Sequence, residues 1–295
     1  MPEMPEVAAL AEFLAGAAGG RRVFEVQVAS IGALKTYDPA PQALAQRVVA
    51  GVHRYGKWLD VVLADPAAQD EDDDGALHLI FHLARAGWLR WHEHVPERMG
   101  RSRVLALRVR LGDGSGFDLT EAGTHKRLAV HIVTDPRQVE AIASLGPDPL
   151  ADSFTPSALA GVLRQSRHQV KTVLRDQSKI AGIGNAYSDE ILHAARMSPF
   201  AGSATLSTEQ VGVLHGAIRE VLLAAITEVA GRPPNQLKDT KRGQMRVHGR
   251  TGQACPVCGD TVAEVSFADS SLQYCPTCQT GGKLLADRRM SRLLR

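Results

Sequence analysis

The spacing of the four cysteines restricts most strongly how this chain can fold. Two CxxC pairs separated by sixteen residues can supply four thiolates to one tetrahedral site, which is the ligand set of structural zinc. A redox CxxC would be single and lie near a βαβ unit, and a disulfide framework is unusual in an unsecreted chain of this size. We therefore predict one structural zinc ion and a hairpin between the pairs; its ligands are Cys255, Cys258, Cys275 and Cys278.

Strands dominate the first half of the 295 residues and helices dominate the second. Short, β-branched segments predict a β-sandwich or barrel; they cover 21–29, 46–55, 57–64, 76–84, 87–93, 103–111 and 127–133. Helical patterns cover 5–18, 157–166, 168–176, 185–197 and 207–230, and turn residues fill 231–250. The predicted division is a β domain at 1–143, a linker at 144–154, a helical domain at 155–245, a zinc module at 246–280 and a basic tail at 281–295.

Positive charge is concentrated at the C-terminal end. Residues 231–295 contain 11 Lys and Arg against 5 Asp and Glu, whereas the remainder contains 23 against 27. A basic end favours an anionic partner, nucleic acid first, although a solvated charged surface is the alternative. No apolar run has the length of a membrane span, and no secretion signal precedes the first helix, so we expect a cytoplasmic protein without a membrane partner. The acidic run 65–76 is expected to be a solvated loop.

The N-terminal sequence MPEMPEV contains more prolines and glutamates than a helix start requires. Pro5 suits the first helical position, and Glu6 suits a first turn, where the helix dipole favours negative charge. Neither argument explains Pro2 and Glu3. These two residues are therefore candidates for a chemical role.

A second candidate segment is Asp176–Tyr187, whose Gly-Ile-Gly-Asn turn lies between two helical patterns. Such a turn can present backbone N–H groups to a phosphate, with the N-terminus of the next helix behind them. Asn185 can donate to the same phosphate. The alternative is an ordinary connection between helices with an asparagine cap.

Taken together, four motifs resemble the family of formamidopyrimidine-DNA glycosylase and endonuclease VIII. They are MPEMPEV, HRYGKWL at 53–59, DQSKIAGIGNAYSDEIL at 176–192, and VHGRTGQACPVCG with YCPTCQ at 247–279. The resemblance implies an α+β multidomain fold. Its parts would be a two-layer antiparallel β-sandwich with an N-terminal helix, a helix–two-turn–helix domain and a zinc finger. It also implies a monomer that binds damaged double-stranded DNA between the first two parts, in a bacterial cytoplasm.

The resemblance also implies covalent chemistry at the N-terminus. Met1 would be removed, and the Pro2 amine would attack C1′ of a damaged nucleotide to form an iminium ion. Glu3 would act as the acid/base partner. Glu6 would either orient the amine or assist it, unless it is only a first-turn helix charge. Lys57 would lie near the lesion phosphates, unless it is a solvated lysine at a strand end.

The same family pattern also implies which residues contact DNA. His82 in the segment HLARAG matches a phosphate-contacting histidine, although a lone histidine of this kind is more often a core residue. Asn185 matches the phosphate clamp. The full set of expected DNA-binding residues is His82, Arg85, Lys171, Asn185 and Arg250.

The sequence departs from the family pattern at positions that would fill the gap left by the damaged base, cover that base or contact the DNA. Arg85 stands where the family has a void-filling Met, and the family's Arg and Phe filling pair has no match. Only Thr124, His125 or Lys126 can substitute for that pair. The segment before VHGR, residues 233–246, is short for a loop that covers 8-oxoguanine. Ser270 replaces a zinc-finger arginine; the candidates to compensate are Arg288, Arg289, Arg292 and Arg295.

We therefore predict a bifunctional DNA glycosylase and abasic-site lyase of base excision repair. It would flip out the damaged nucleotide and cut the strand by β/δ-elimination. Its substrate is expected to differ from 8-oxoguanine, with an oxidised pyrimidine, an abasic site or a bulky adduct as candidates. The alternatives are a lyase restricted to abasic sites, a non-catalytic protein that binds DNA damage, and an unrelated zinc-ribbon protein.

Overall fold

Residues 1–67, 75–96, 103–267 and 270–286 are described by the structure, a computed structural model. They form two compact units. One comprises Met1–Leu145 with Val229–Leu237, and the other comprises Gly146–Glu228 with Lys238–Arg295. Most of the predicted acidic loop at 65–76 and the four tail arginines lie outside the described residues. The solvation of the loop and the compensating role of the tail stay predictions.

Two four-stranded antiparallel sheets form the first unit, in the orders β1-β6-β7-β5 and β2-β3-β4-β8. Residues from both sheets share one apolar core, where the rings of Phe81 and Phe117 lie 6.2 Å apart. The predicted β-sandwich is therefore confirmed. The strands are β1 Val23–Val28, β2 Val48–Tyr55, β3 Trp58–Ala64, β4 Leu77–His82, β5 Gly87–His92, β6 Leu105–Leu111, β7 Gly116–Glu121 and β8 Ala129–Val133.

Strand β7 was not among the predicted strands. Its centre is Asp118, a residue type depleted in strands. In the fold, Arg108 on the neighbouring strand donates two hydrogen bonds to the Asp118 carboxylate, at 2.7 and 2.9 Å, and both residues are buried. The pair satisfies the charge that made the segment look like a loop.

Helix α1, Met4–Ala18, follows the N-terminal segment as predicted for residues 5–18. Its apolar residues Val7, Leu10 and Leu14 belong to the sandwich core, and the helix contacts β2 and β3. A capping box at its start joins Glu3 and Glu6. A second short helix, α2, covers Glu140–Ala143.

Helices dominate the start of the second unit. They are α3 Pro156–Arg164, α4 Val170–Arg175, α5 Asn185–Ala194, α6 Thr208–Val229 and α7 Leu237–Gln244. Thr155 caps α3 by accepting a hydrogen bond from the Ala158 N–H at 3.2 Å. Helix α7 corrects the expectation of turns at 231–250. It forms although its residues are polar, because Leu237 is fully buried and the Lys241 ammonium lies 4.6 Å from the ring centroid of Tyr187.

The cysteine module contains the predicted hairpin. Strands β9 Ala263–Ser266 and β10 Ser271–Tyr274 pair antiparallel, and helix α8 Pro276–Thr280 follows. The Ser270 carbonyl accepts a hydrogen bond from the Phe267 N–H at 2.8 Å, which closes the end of the hairpin.

Helix α6 is the one helix in the described part of the chain that is long and apolar enough to cross a membrane by length and composition. One third of its most apolar window is buried in the fold. Buried Leu214, Ile218 and Leu222 recur at helical spacing, while Glu220 is exposed. That one-sided pattern is typical of an amphipathic helix that packs one face on a protein core.

Candidate active site

The N-terminal residues Pro2, Glu3 and Glu6 are all buried. The Glu3 N–H donates to Glu6 Oε2 at 2.8 Å, and the Glu3 carboxylate accepts from the Glu6 N–H in return. Glu6 thus holds the backbone next to Pro2 through a capping box, a contact that fits both the orienting role and a first-turn helix residue. The nitrogen of Pro2 becomes an amine only when the peptide bond to Met1 is cleaved.

Helix α1 packs against β2 and β3. Its C-terminal end is fixed to the start of β2 by hydrogen bonds that join Gly20 and Arg21 to Val49, each 2.9 Å long. A 15-residue helix spans about 22 Å and an eight-residue strand spans about 26 Å, so their far ends lie at similar heights. We infer that Pro2 and Glu3 lie at the end of the sandwich where the β2–β3 turn carries Lys57.

The strand register brings three further segments to this end of the sandwich. Trp58, which follows Lys57, pairs with His82 at the end of β4, and His82 pairs with Ala129 at the start of β8. Lys57 is largely buried, with 8% of its surface exposed. The exposed Arg85 follows His82 by three residues. Lys57, His82 and Arg85 therefore share one edge, as the predicted DNA contacts require.

His82 is held in a defined state. Its ring lies 4.9 Å from the ring of Trp58, and its Nδ1 accepts a hydrogen bond from the Ala84 N–H at 3.2 Å. Burial, followed by the nearby Lys57 charge, lowers the pKa of His82 to about 4. The imidazole is therefore neutral at pH 7, with its proton on Nε2, where it can donate to an acceptor such as a phosphate oxygen.

The loop between β7 and β8 lies against the loop that carries Arg85. The Ala122 N–H donates to the Ala86 carbonyl at 3.2 Å. Thr124 and His125 are exposed at its tip, whereas the Lys126 ammonium folds back onto the Glu121 carbonyl. Of the three residues that the sequence offered as substitutes for the filling pair, Thr124 and His125 are the better placed.

The glycine turn before α5 is built around Gln177. Its Oε1 accepts from the Gly182 N–H at 2.9 Å, and its Nε2 donates to the Ile183 carbonyl at 2.8 Å. Gly182 has a φ of 87°, a conformation that favours glycine. Asn185, the first residue of α5, donates from Nδ2 to the Ser271 carbonyl of the zinc hairpin at 2.8 Å. The predicted phosphate clamp is thus also a link to the zinc module.

Four cysteine sulfurs converge in the zinc module, all within 4.8 Å of one another. Two pairs, Cys255 with Cys278 and Cys258 with Cys275, lie 3.9 and 3.3 Å apart. A tetrahedral zinc with Zn–S bonds of about 2.3 Å requires separations of about 3.8 Å, so the four thiols fit this ion. The four ligands saturate the coordination sphere, and the site is structural.

Comparisons with known proteins match nearly the whole chain. The model of the formamidopyrimidine-DNA glycosylase N-terminal domain matches residues 1–138 and the model of its H2TH domain matches 145–232. The zinc finger found in formamidopyrimidine-DNA glycosylase and isoleucyl-tRNA synthetase matches 252–281. A formamidopyrimidine-DNA glycosylase of Chloroflexus aurantiacus is 34% identical over 288 residues, covering 95% of this chain and 98% of its own. This chain belongs to the formamidopyrimidine-DNA glycosylase family.

Two other proteins are also similar to this chain. A formamidopyrimidine-DNA glycosylase-like protein of Mycobacterium tuberculosis is 59% identical over 152 residues, which cover 52% of this chain and 95% of that protein. The solved Lactococcus lactis enzyme in complex with DNA containing an abasic site superposes with a TM-score of 0.80. It is 23% identical and covers 94% of this chain and 99% of its own. That structural likeness confirms the fold.

The family pattern placed Lys171 among the DNA-binding residues. In this glycosylase-family chain, its side chain is buried. Its ammonium donates to Asp189 Oδ1 at 2.6 Å and to the Ser188 hydroxyl at 2.7 Å, and 5% of its side chain is exposed. An ammonium enclosed in this way supports helix α5 and does not reach outward to a phosphate. We therefore leave Lys171 out of the DNA-contacting set proposed below.

Two buried acidic residues on α5, Asp189 and Glu190, were not predicted from the sequence. Asp189 also accepts a hydrogen bond from His248 Nδ1 at 2.7 Å. The Glu190 carboxylate accepts three backbone N–H bonds of 2.8 to 3.0 Å from residues 246–248, which lead into the zinc module. Burial raises the pKa of Glu190 despite these bonds. The sequence shows the two acids but gives no signal that both are buried.

Arg250 and Ser270 behave differently in the zinc finger of this family member. The Arg250 side chain is partly exposed, and its guanidinium has no hydrogen-bond partner among the residues that the structure describes. Ser270 closes the hairpin through its carbonyl and places no cation there. Arg250 therefore stays a predicted DNA contact of this module.

Replacing Cys275 with serine is expected to abolish stoichiometric zinc binding, because Cys275 is one of only four ligands and is fully buried. Metal content after dialysis should fall from about one zinc per chain to near zero. Gln253→Ala, an exposed change in the same module, serves as the control and should keep the metal. Unchanged zinc content in Cys275→Ser would contradict the four-thiolate assignment.

Proposed function

We propose that this chain is a bifunctional DNA glycosylase and abasic-site lyase that acts on damaged double-stranded DNA. The arrangement that supports this most is the buried Pro2–Glu3 segment, fixed by Glu6, which we infer to lie at the end of the sandwich that carries Lys57 and His82. Non-catalytic binding would need no such arrangement around the residue that becomes the N-terminus. As a working form we propose a monomer in the cytoplasm, bound to DNA.

Pro2 is the proposed nucleophile. After Met1 is removed, the secondary amine has a reference pKa near about 8, well below that of lysine, so more of it is unprotonated at neutral pH. The amine attacks C1′ of the extruded nucleotide, the bond to the damaged base breaks, and an iminium ion forms. The iminium withdraws electrons from the sugar, so that loss of a C2′ proton expels the 3′-phosphate by β-elimination, and loss of the C4′ proton from the resulting conjugated iminium then expels the 5′-phosphate by δ-elimination.

Glu3 is the proposed acid/base group. It can protonate the sugar ring oxygen as the ring opens and can then return the proton. Its position at the N-terminus of α1 stabilises a carboxylate, since the helix dipole is positive there. Glu6 does not act on substrate in this scheme; it orients the Glu3 backbone.

Phosphate contacts come from both units. Lys57 supplies a charge, and neutral His82 supplies the Nε2 donor. Asn185 has a second amide hydrogen that the bond to Ser271 leaves available, and Arg250 supplies a guanidinium. The damaged nucleotide must be extruded, because a base inside the stack is out of reach of the amine.

The proposed substrate is an abasic site or an oxidised pyrimidine, with a bulky adduct as a further candidate. Arg85 lies where the family pattern has an apolar filler. The segment 233–246, expected to be too short to cover 8-oxoguanine, contains helix α7, and Lys241 packs over Tyr187. A segment folded in this way is not an open loop over a bound base.

Strand cleavage on a panel of single-lesion duplexes tests this proposal. We expect cleavage at an abasic site, and excision of oxidised pyrimidines at least about tenfold faster than excision of 8-oxoguanine opposite cytosine. An undamaged duplex is the control. Comparable rates for the pyrimidine and 8-oxoguanine lesions would overturn the substrate assignment. Cleavage at abasic sites alone would favour the lyase alternative, and binding without cleavage would favour the non-catalytic one.

A further inference from the structure

Glu121 occupies an unusual position at the end of β7. It is 4% exposed, and its backbone N–H donates to the Val104 carbonyl at 2.6 Å. The residue opposite on β5 is Gly87, which has no side chain to fill the space beside the glutamate. A buried carboxylate in such a site is stable only when hydrogen bonds satisfy it.

Among the described residues, the hydrogen bonds to the Glu121 carboxylate come from one loop. Its Oε1 accepts the Arg127 N–H at 2.7 Å and the Leu128 N–H at 3.0 Å. The Lys126 ammonium donates to the Glu121 carbonyl. The glutamate therefore joins both ends of the β7–β8 loop, residues 122–128, through its side chain and its backbone.

This loop lies at the edge that carries the proposed DNA contacts. It ends one residue before Ala129, which pairs with His82, and it touches the Arg85 loop through the Ala122–Ala86 hydrogen bond. Residues 122–127 are all exposed. Because Lys126 is folded back, the polar side chains that project from the tip are those of Thr124 and His125.

We propose that Glu121 is a positioning residue for DNA binding. It clamps the β7–β8 loop so that Thr124 and His125 meet the duplex beside the lesion. This role rests on the proposed function. A loop ordered before binding loses less conformational entropy when it meets its ligand. Both backbone N–H groups of the loop donate to one carboxylate oxygen. The clamp therefore requires a side chain long enough to reach the loop and an oxygen that accepts both hydrogen bonds, and it does not require a negative charge.

Affinity for a duplex that contains the non-cleavable abasic analogue tetrahydrofuran tests this role. Glu121→Ala and Glu121→Asp, which is one methylene too short, are expected to weaken binding about tenfold. Glu121→Gln should stay within about twofold of the parent, because one amide oxygen can accept both loop N–H bonds. Glu12→Gln, exposed on α1, is the matched control. Thermal unfolding of each variant verifies that it is folded.

A double-mutant cycle shows whether Glu121 acts through the loop. His125→Ala should weaken binding in the parent and should add little in the Glu121→Asp background. Independent, additive losses would overturn the proposal. So would equal losses in Glu121→Gln and Glu121→Asp, or full affinity in Glu121→Asp. A parent protein that does not prefer the tetrahydrofuran duplex over undamaged DNA would instead contradict the proposed function itself.

Discussion

Replacing Asp189 with alanine is expected to lower the free energy of unfolding of the second unit by about 3–5 kcal/mol. The Asp189 side chain is fully buried and accepts hydrogen bonds from both the Lys171 ammonium and His248 Nδ1. Without it, the Lys171 ammonium loses its 2.6 Å ion pair while it remains enclosed, with 5% of its side chain exposed. The loss can be measured by urea unfolding with saturating zinc.

Two further variants separate the ion pair from a general effect of mutation. Asp152→Ala, an exposed change in the same unit, should alter the unfolding free energy by less than about 0.5 kcal/mol. Adding Lys171→Met to Asp189→Ala should recover part of the stability, since it removes the uncompensated charge. A loss below about 1 kcal/mol in Asp189→Ala would mean that Lys171 finds solvent or another partner.

Replacing Glu3 with glutamine is expected to slow base excision by about 10²- to 10⁴-fold, the usual contribution of a general acid/base group. The change keeps an amide oxygen that can accept the Glu6 N–H, so the start of α1 should remain intact. The amide cannot exchange a proton with the sugar ring. Single-turnover rates on a duplex with one oxidised pyrimidine measure the effect.

Zinc content and thermal unfolding should match the parent in Glu3→Gln, which would locate the defect in chemistry. The exposed Glu12→Gln on the same helix should keep the parent rate. A decrease of less than about threefold in Glu3→Gln would contradict the acid/base assignment.

Local sequence signals predicted the parts of the fold that depend on local chemistry. The cysteine spacing predicted the zinc site, and Pro5 with Glu6 predicted the start of α1, because each rests on residues close together in the sequence. Strand β7 could not be predicted in this way. Asp118 is tolerated there only because Arg108, ten residues earlier, lies beside it in the folded sheet.

Residues of the candidate site show the same limit. The motif around Asn185 indicated a phosphate clamp, but its bond to Ser271 joins residues 86 positions apart. Lys171 looked like a surface cation until Asp189 was found beside it. The roles of Pro2, Glu3 and Lys57 in catalysis and the predicted domain boundaries stay predictions, since geometry supports them without measuring activity.

The most direct test of the covalent mechanism is borohydride trapping on a duplex with one abasic site. The account predicts a stable protein–DNA adduct that maps by mass spectrometry to the N-terminal peptide ending at Arg21. It should form only in molecules that have lost Met1, and it should disappear in Pro2→Gly with Met1 also removed. An adduct on the peptide that contains Lys57, or one that forms while Met1 is retained, would show that the Pro2 amine is not the nucleophile.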